Sequence, residues 1–473
     1  MSFDLDSATR RQLGYRLIDY IDAFYSSLPD RPVQLPADQR TYGPLNDPLP
    51  ENGADPAQVL DAICREMVDK GFHVPAANYF GLMNPTPTYM GFLGEALVAA
   101  LNPQLATLAR SQLASKIEVE TLRWIGERVG WPGAFNGTFT NGGNEANFSG
   151  LAMALVWKFP NAIEHGVATI GAQPLVYASS ESHHSLDKSA GLLGIGRKAL
   201  RRVAVNGKLQ MDPGALKAAI ESDLRAGLKP FCVVATAGTT NSGIIDDLPL
   251  LAEVCRRYAL WLHVDGAYGA SLIFSDKHRH LIRGIEQADS ITIDPHKWLA
   301  VPFAAGVILT SRPEILERAF GVYAPYMPKT AGAVLPDNSK ISTQWTRRMN
   351  ALKFWLTLKV HGRKAYEEYI DRQMNLARGF ADWVNRSERF ELAAPLVVPI
   401  LNLRLRGIAD PNRRAALHNA IVDEVTRDGR RWISETIVNG ESVIRVMVVS
   451  YLTEERHLQA LEEALLAAIP ART

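Results

Sequence analysis

Cysteine is scarce in this chain: three among 473 residues, Cys64, Cys232 and Cys255, widely spaced and without a CxxC pair. That excludes a disulfide framework and a cysteine zinc site, so no metal is expected and a reduced, cytoplasmic protein is the simplest reading. Charge of one sign is not in excess either. Fifty-one basic against fifty acidic residues leave a formal net charge of +1, with no long like-charge block, which argues against a nucleic-acid or polybasic membrane partner. Long hydrophobic runs are also missing: no stretch reaches the roughly eighteen apolar residues of a membrane span. The start "MSFDLDSATRRQLGYRLIDY" lacks a basic segment followed by an apolar core, so neither a membrane anchor nor a signal peptide is expected. No internal repeat or low-complexity tract is visible.

What is present is an ordered alternation. Leu13, Leu17, Tyr20, Ile21 and Phe24 recur at three- and four-residue intervals, which predicts a helix from Ser7 to about Ser27. A proline-rich connector, "LPDRPVQLPADQRTYGPLNDPLP", follows. One helix and a strap cannot bury a core alone, so this N-terminal helical arm, residues 1–85, is expected to pack on something else. Over residues 86–347, short apolar runs alternate with helical patterns. The expected strands are 137–141, 174–179, 199–205, 231–238, 260–266, 290–294 and 306–310, with helices at "DPGALKAAIESDLRAG" and "DLPLLAEVCRRY". That is the pattern of an α/β domain with a mostly parallel sheet covered on both faces. Residues 348–473 open on a long helical pattern and continue into strand-like "PILNLRLRG" and "VIRVMVV", which predicts a small α+β C-terminal domain.

Ligands of open α/β sheets collect at the carboxyl ends of the strands, and four expected strand ends carry unusual residues. "TNGGNEANFSG" offers adjacent glycines, Gly142 and Gly143, where a helix begins, either a plain turn or a phosphate cradle. It is not a Walker loop, since the GK[ST] ending is missing. "LHVDGAYGA" ends a strand on Asp265 with small neighbours that leave room for a flat ring; helix capping is the ordinary alternative. "SSESHHSLDKSAG" places His183 and His184 after a strand, as ring-stacking or proton-moving groups or as surface bystanders. "SITIDPHKWLAVPFAAGVILT" sets Lys297 between two apolar runs. A lysine there either snorkels or is neutralised and used, and a neutral amine forms Schiff bases. Together, a phosphate cradle, an aromatic-sized histidine, a carboxylate for a ring nitrogen and a lysine for an aldehyde match the handles of pyridoxal 5′-phosphate (PLP).

With these residues in view, the chain resembles the group II PLP-dependent amino-acid decarboxylases, the family of aromatic-L-amino-acid, glutamate, histidine and cysteine-sulfinate decarboxylases. "DPHKW", "HVDGAYGA", "ATAGTTNSGIIDDL" and "HHSLDKSAGLLGIG" carry the likeness. The resemblance implies the aspartate-aminotransferase type of PLP fold (fold type I), a homodimer, and decarboxylation of an L-amino acid to amine and CO2 through a Schiff base and a quinonoid intermediate. It implies that Lys297 carries PLP, that Asp265 pairs with the pyridine nitrogen, and that His183, which aligns better than His184, stacks on the ring. Gly143, Asn144 and His296 match phosphate positions, and Thr236 and Ala267 match residues flanking the ring. Asp294 stands where several relatives have asparagine, and a carboxylate beside a phosphate would be repelled.

Two departures from the family pattern bear on function. Relatives present a tyrosine on a loop that protonates Cα after CO2 leaves, whereas residues 328–346, "PKTAGAVLPDNSKISTQWT", hold none. In relatives, losing that hydroxyl diverts the reaction to an aldehyde, so a decarboxylating aldehyde synthase, or another PLP lyase or transferase, is the alternative. Tyr323, Tyr326 and Lys340 are the substitute proton donors in reach by sequence. The substrate segments "YFGLMNPTPTYMG", with Tyr79 and Asn84, and "NPQLATLARSQLAS", with Leu108 and Arg110, also differ from the aromatic decarboxylases. Arg110 is read as a structural ion-pair residue, with an acidic-substrate contact as the alternative.

Overall fold

The computed structural model describes residues 3–40, 48–324 and 337–470. Seven strands, β1 (Asn136–Thr140), β2 (Pro174–Ser179), β3 (Leu200–Val203), β4 (Lys229–Thr236), β5 (Trp261–Asp265), β6 (Ser290–Ile293) and β7 (Gly306–Thr310), form one sheet in the order β1-β7-β6-β5-β4-β2-β3. Each strand expected over residues 86–347 is there. β2, β5, β6 and β7 are buried at every position, because helices cover both faces and a strand buried on both sides reads as a continuous apolar run. β3, β2, β4, β5 and β6 run parallel. β7 is antiparallel to both β6 and β1. The chain turns back after Lys297 without a crossover helix, and only an antiparallel strand can return that directly.

The connecting helices start where their sequences say. Asp212 Oδ1 accepts from Gly214 N (2.7 Å) and Ala215 N (2.9 Å) before the helix Pro213–Arg225, and Asp247 caps Leu248–Tyr258. Each cap satisfies amides that the helix itself leaves free, and proline in the first turn loses no bond.

The long helix Ala351–Arg386 breaks its dihedrals at Gly362 (φ 72°, ψ 171°). Before the break it lies on the helices Tyr89–Leu101 and Gln112–Val129, where the buried Lys353 pairs with Glu95 and donates to Ala304 O (2.8 Å). Beyond it, the helix packs on a second, antiparallel sheet of β8 (Phe390–Leu392), β9 (Ile400–Leu405), β10 (Ser434–Val438) and β11 (Glu441–Met447), in the order β10-β11-β9-β8. Three bonds tie this small sheet to the turn that follows β4. Asn402 Nδ2 donates to Asn241 O (2.8 Å), Thr436 Oγ1 to Asn241 Oδ1 (2.8 Å), and Arg445 Nη1 to Thr240 O (3.0 Å).

Candidate active site

The parallel register brings three strand ends level: Thr236 on β4 lies opposite Asp265 on β5, which lies opposite Thr292 on β6. Asp265 is 5 % exposed. Its Oδ2 accepts from Asn147 Nδ2 (2.9 Å) and its Oδ1 from Ala267 N (3.2 Å). Past β6 the chain makes a turn in which Lys297 N donates to Asp294 O (2.9 Å), so the side chains of both residues face one place. Lys297 Nζ lies 3.3 Å from Asp294 Oδ2 and His296 Nε2 lies 3.7 Å from the same oxygen. His296 Nδ1 accepts from Ala305 N (3.0 Å), which fixes the ring, and burial holds its pKa below the ordinary imidazole value.

After β1, Gly142 (φ 146°) admits the helix Gly143–Lys158, whose start has no side-chain cap. A Cβ at Gly143 would lie 2.7 Å from Asp294 Oδ2 and 3.2 Å from Ala267 Cβ. Only glycine lets the helix start approach this closely.

His183 follows β2, its Nδ1 accepting from Ser185 N (3.2 Å). Burial lowers its pKa, while the charge of Asp265 raises it and that of Lys297 lowers it further. The ring nevertheless keeps accessible surface, because it stands on the wall of a cavity of about 550 Å³ shared with Thr240, Asn241 and Thr436. His184 lines the same cavity, but its side chain is 93 % exposed and pairs with Asp187.

Lys297, Asp294, His296, Gly143, Ala267, Asp265, Thr236 and His183 lie close together, and Asn144 sits exposed in the first turn of the helix Gly143–Lys158. The candidate substrate residues are held by contacts of a different kind. Tyr79 stacks on Trp432 with ring centroids 5.4 Å apart, and Asn84 is half-buried. Leu108 N donates to Asp337 Oδ1 (2.9 Å). Arg110 is exposed and donates to Gln104 Oε1 (3.1 Å), so its partner is an amide rather than the carboxylate of the expected ion pair. Tyr323 is exposed, Lys340 pairs with Asp337 (3.6 Å), and Tyr326 and residues 328–336 lie outside the described residues.

Residues 40–406 match the pyridoxal-dependent decarboxylase conserved domain. The chain belongs to the pyridoxal-dependent decarboxylase family. It is 31 % identical to an aromatic-L-amino-acid decarboxylase of Bacillus atrophaeus, over 97 % of this chain and 95 % of that one. It is 27 % identical to a phenylacetaldehyde synthase of Arabidopsis thaliana, over 96 % and 94 % of the two chains. Among solved structures, the tryptophan decarboxylase (TDC) of Oryza sativa with PLP and tryptamine superposes at a TM-score of 0.92, with 25 % identity and 99 % of each chain covered. The decarboxylase fold is thus of type I, its cofactor is PLP, and its reaction removes CO2 from an amino acid.

The side chains fit that cofactor. The uncapped helix start supplies amides and a positive dipole end suited to a phosphate. Thr236 Oγ1 and Asp294 Oδ1 are buried without a hydrogen-bond partner among the described residues, a costly state unless a further polar group meets them. Sequence reasoning missed the polar residues behind the site: Asn147, Ser185, His263 and Thr292, all buried and mutually bonded. Asn147 carried a usable signal, since it follows Gly143 by four residues and so shares its helix face. Among the described residues, no group of three His, Cys, Asp or Glu side chains is placed to hold a metal, and no helix is long and apolar enough to cross a membrane.

Proposed function

We propose that this decarboxylase converts an L-amino acid to the corresponding amine and CO2 at the Lys297 cluster, working as a cytoplasmic homodimer. The observation that carries the assignment is the convergence of Lys297 Nζ, 3.3 Å from Asp294, with the buried strand-end carboxylate of Asp265 and the ring of His183. PLP bound there supplies an aldehyde for amine exchange and a protonated ring that accepts electrons as the bond from Cα to the carboxylate breaks.

Each residue then has one task. Lys297 Nζ would hold the cofactor through its aldehyde. Asp265 would accept a charge-assisted hydrogen bond from the protonated ring nitrogen. His183, whose pKa partial burial lowers, would present a flat face to the cofactor ring. Its Nδ1 accepts from Ser185, so the proton of the neutral tautomer sits on Nε2, on the far edge of the ring. Gly143, Asn144 and His296 would receive the phosphate, and Ala267 and Thr236 would flank the ring.

A second reading rests on the missing tyrosine of residues 328–346. Within the described part, Asn338 is buried with its amide on Ser115 Oγ (3.1 Å), and no phenol stands in that stretch. Without a proton donor at Cα, oxygen competes, and the net reaction becomes amino acid, O2 and water giving aldehyde, CO2, ammonia and hydrogen peroxide. A panel of L-amino acids, beginning with the aromatic ones that the relatives' names indicate, separates the two readings when CO2, amine, aldehyde and oxygen uptake are measured together. Stoichiometric amine with a flat oxygen trace supports the first; aldehyde and peroxide in equal amounts support the second; no CO2 from any of them overturns both.

A further inference from the structure

We propose that Asn147 is a positioning residue, which fixes the Asp265 carboxylate against the ring nitrogen of PLP as the last link of a buried chain of hydrogen-bond donors. The inference rests on the assignment of Asp265 to that nitrogen.

The direction of every proton in the chain follows from its two ends. An ionised carboxylate only accepts, so Asn147 must turn its Nδ2 toward Asp265 Oδ2 (2.9 Å) and its Oδ1 away. That Oδ1 then accepts from Thr292 Oγ1 (2.7 Å) and from His263 Nε2 (3.1 Å), which places the imidazole proton on Nε2. Burial pushes the His263 pKa down to about 4, so the ring is neutral and its Nδ1 is an acceptor. Ser290 Oγ, 2.8 Å away, donates to it. At the far end, Trp261 Nε1 donates only, and it donates to Ser290 Oγ (2.8 Å). The chain thus runs Trp261 to Ser290 to His263 to Asn147 to Asp265 with one polarity throughout. Its five members are all buried.

Asn147 also donates to Ser185 Oγ (3.1 Å), so its two donors and both lone pairs are used and its amide has one orientation. Asp265 keeps one lone-pair direction on each oxygen beyond the bonds from Asn147 and Ala267. Holding the carboxylate at a fixed rotation aims those directions. A carboxylate free to rotate would find the ring nitrogen only part of the time, and misplacement of a catalytic group costs rate steeply. The side chains of Thr292 and His263 reach the Asp265 carboxylate by hydrogen bonds through the amide. They come from neighbouring strands, so the carboxylate is braced by the sheet itself.

The test uses holoenzyme loaded with PLP carrying 15N in the ring, read by nitrogen NMR, together with PLP titrated into the apoprotein. In the wild type the ring nitrogen is expected at the protonated position. Asp265→Ala should move it to the unprotonated position, and Asn147→Ala should move it part of the way and raise the PLP dissociation constant on the order of tenfold. The double variant should match Asp265→Ala alone, because Asn147 has no effect once its carboxylate is gone. If Asn147→Ala leaves the nitrogen signal in place while Asp265→Ala moves it, Asn147 is merely structural and the inference fails with the site intact. If Asp265→Ala itself changes nothing, the site assignment fails first. Should Asn147→Ala not fold, Thr292→Val and Thr292→Ser serve in its place: loss of the hydroxyl should shift the signal and its retention should not, and equal spectra for the pair would overturn the proposal.

Discussion

The centre of the sheet and the N-terminal helices are built on opposite terms. Around β5, every strand position is buried and the polar side chains are bonded to one another. The helices Ser7–Ser27 and Pro56–Lys70 contain no fully buried residue at all. They pack on each other and still expose Leu17, Ile18, Val59, Ile63 and Met67, with Phe72 exposed just after the second. A groove of about 370 Å³ lined by Leu17, Ile21, Phe24, Met67 and Phe72 runs between them. A region with a saturated interior carries its own fold and can devote its strand ends to chemistry. A region whose apolar stripe stays on the surface needs a second surface, and we propose that a second copy of the chain supplies it.

The sharpest way to break the comparison is to remove the chemistry while sparing the fold. Lys297→Ala takes away a side chain that is one-quarter exposed, so the sheet should survive. Turnover should fall by a factor on the order of a thousand or more, as for loss of a covalent catalyst. Borohydride reduction followed by peptide mass spectrometry should find the PLP adduct on Lys297 in the wild type and nowhere in the variant. An adduct at another lysine with turnover retained would sink the assignment.

Asp265→Ala should lower turnover on the order of a hundredfold, through loss of one charge-assisted bond to the ring nitrogen. The carboxylate also anchors Asn147 and Ala267 N, so part of the cost is structural. Measurement at saturating PLP, with the melting temperature recorded beside it, separates the two. Near-normal turnover would refute the role.

The same contrast explains what could be read from the chain in advance. The seven strands were legible because burial on both faces leaves unbroken apolar runs such as "GVILT". β8, three residues long, and β10, with the exposure pattern of an edge, carry too little apolar signal to announce themselves. Lys297, Asp265 and His183 stand out as candidates because strand ends, glycines and small residues mark them in sequence. Of the polar residues behind them, Asn147 is marked only by its spacing from Gly143, and Ser185, His263 and Thr292 by nothing, since a single polar residue inside an apolar pattern does not name a partner as far away as Asn147 and Thr292, 145 residues apart, are. Substrate contacts were the least legible. Tyr79, Asn84, Leu108 and Arg110 lie on connecting segments, whose course depends on what they pack against rather than on a periodic pattern.

For the N-terminal helices, the sharpening experiment is a charge on the exposed stripe. Leu17 and Met67 both line the groove and are 39 % and 65 % exposed in the single chain. Leu17→Glu and Met67→Glu should therefore leave the large domain folded while weakening self-association. An isologous interface counts each substitution twice, so the dimer dissociation constant should rise on the order of a hundredfold or more. Sedimentation at assay concentration reads the result. An active wild-type monomer, or variants that stay dimeric, would show that this face meets something else.

The smallest expected effect concerns Asp294, the site residue whose charge would oppose that of a phosphate. It is 1 % exposed, its Oδ1 has no partner among the described residues, and its Oδ2 is 3.3 Å from Lys297 and close enough to the start of the helix Gly143–Lys158 to exclude a Cβ at Gly143. If the phosphate of PLP is received at that helix start, the carboxylate repels it and competes for the same dipole end. Asp294→Asn keeps the shape, removes the repulsion and offers an Nδ2 donor, at the cost of Lys297's ion-pair partner. The two terms oppose, and repulsion between buried anions outweighs a pair whose lysine is one-quarter exposed. PLP should therefore bind the apoprotein about three to ten times more tightly in the variant, a gain of the size expected for one hydrogen bond to a charged group. Fluorescence titration of PLP into both apoproteins measures it. Weaker binding by Asp294→Asn would mean that the Lys297 pair dominates and that the phosphate is received away from Asp294.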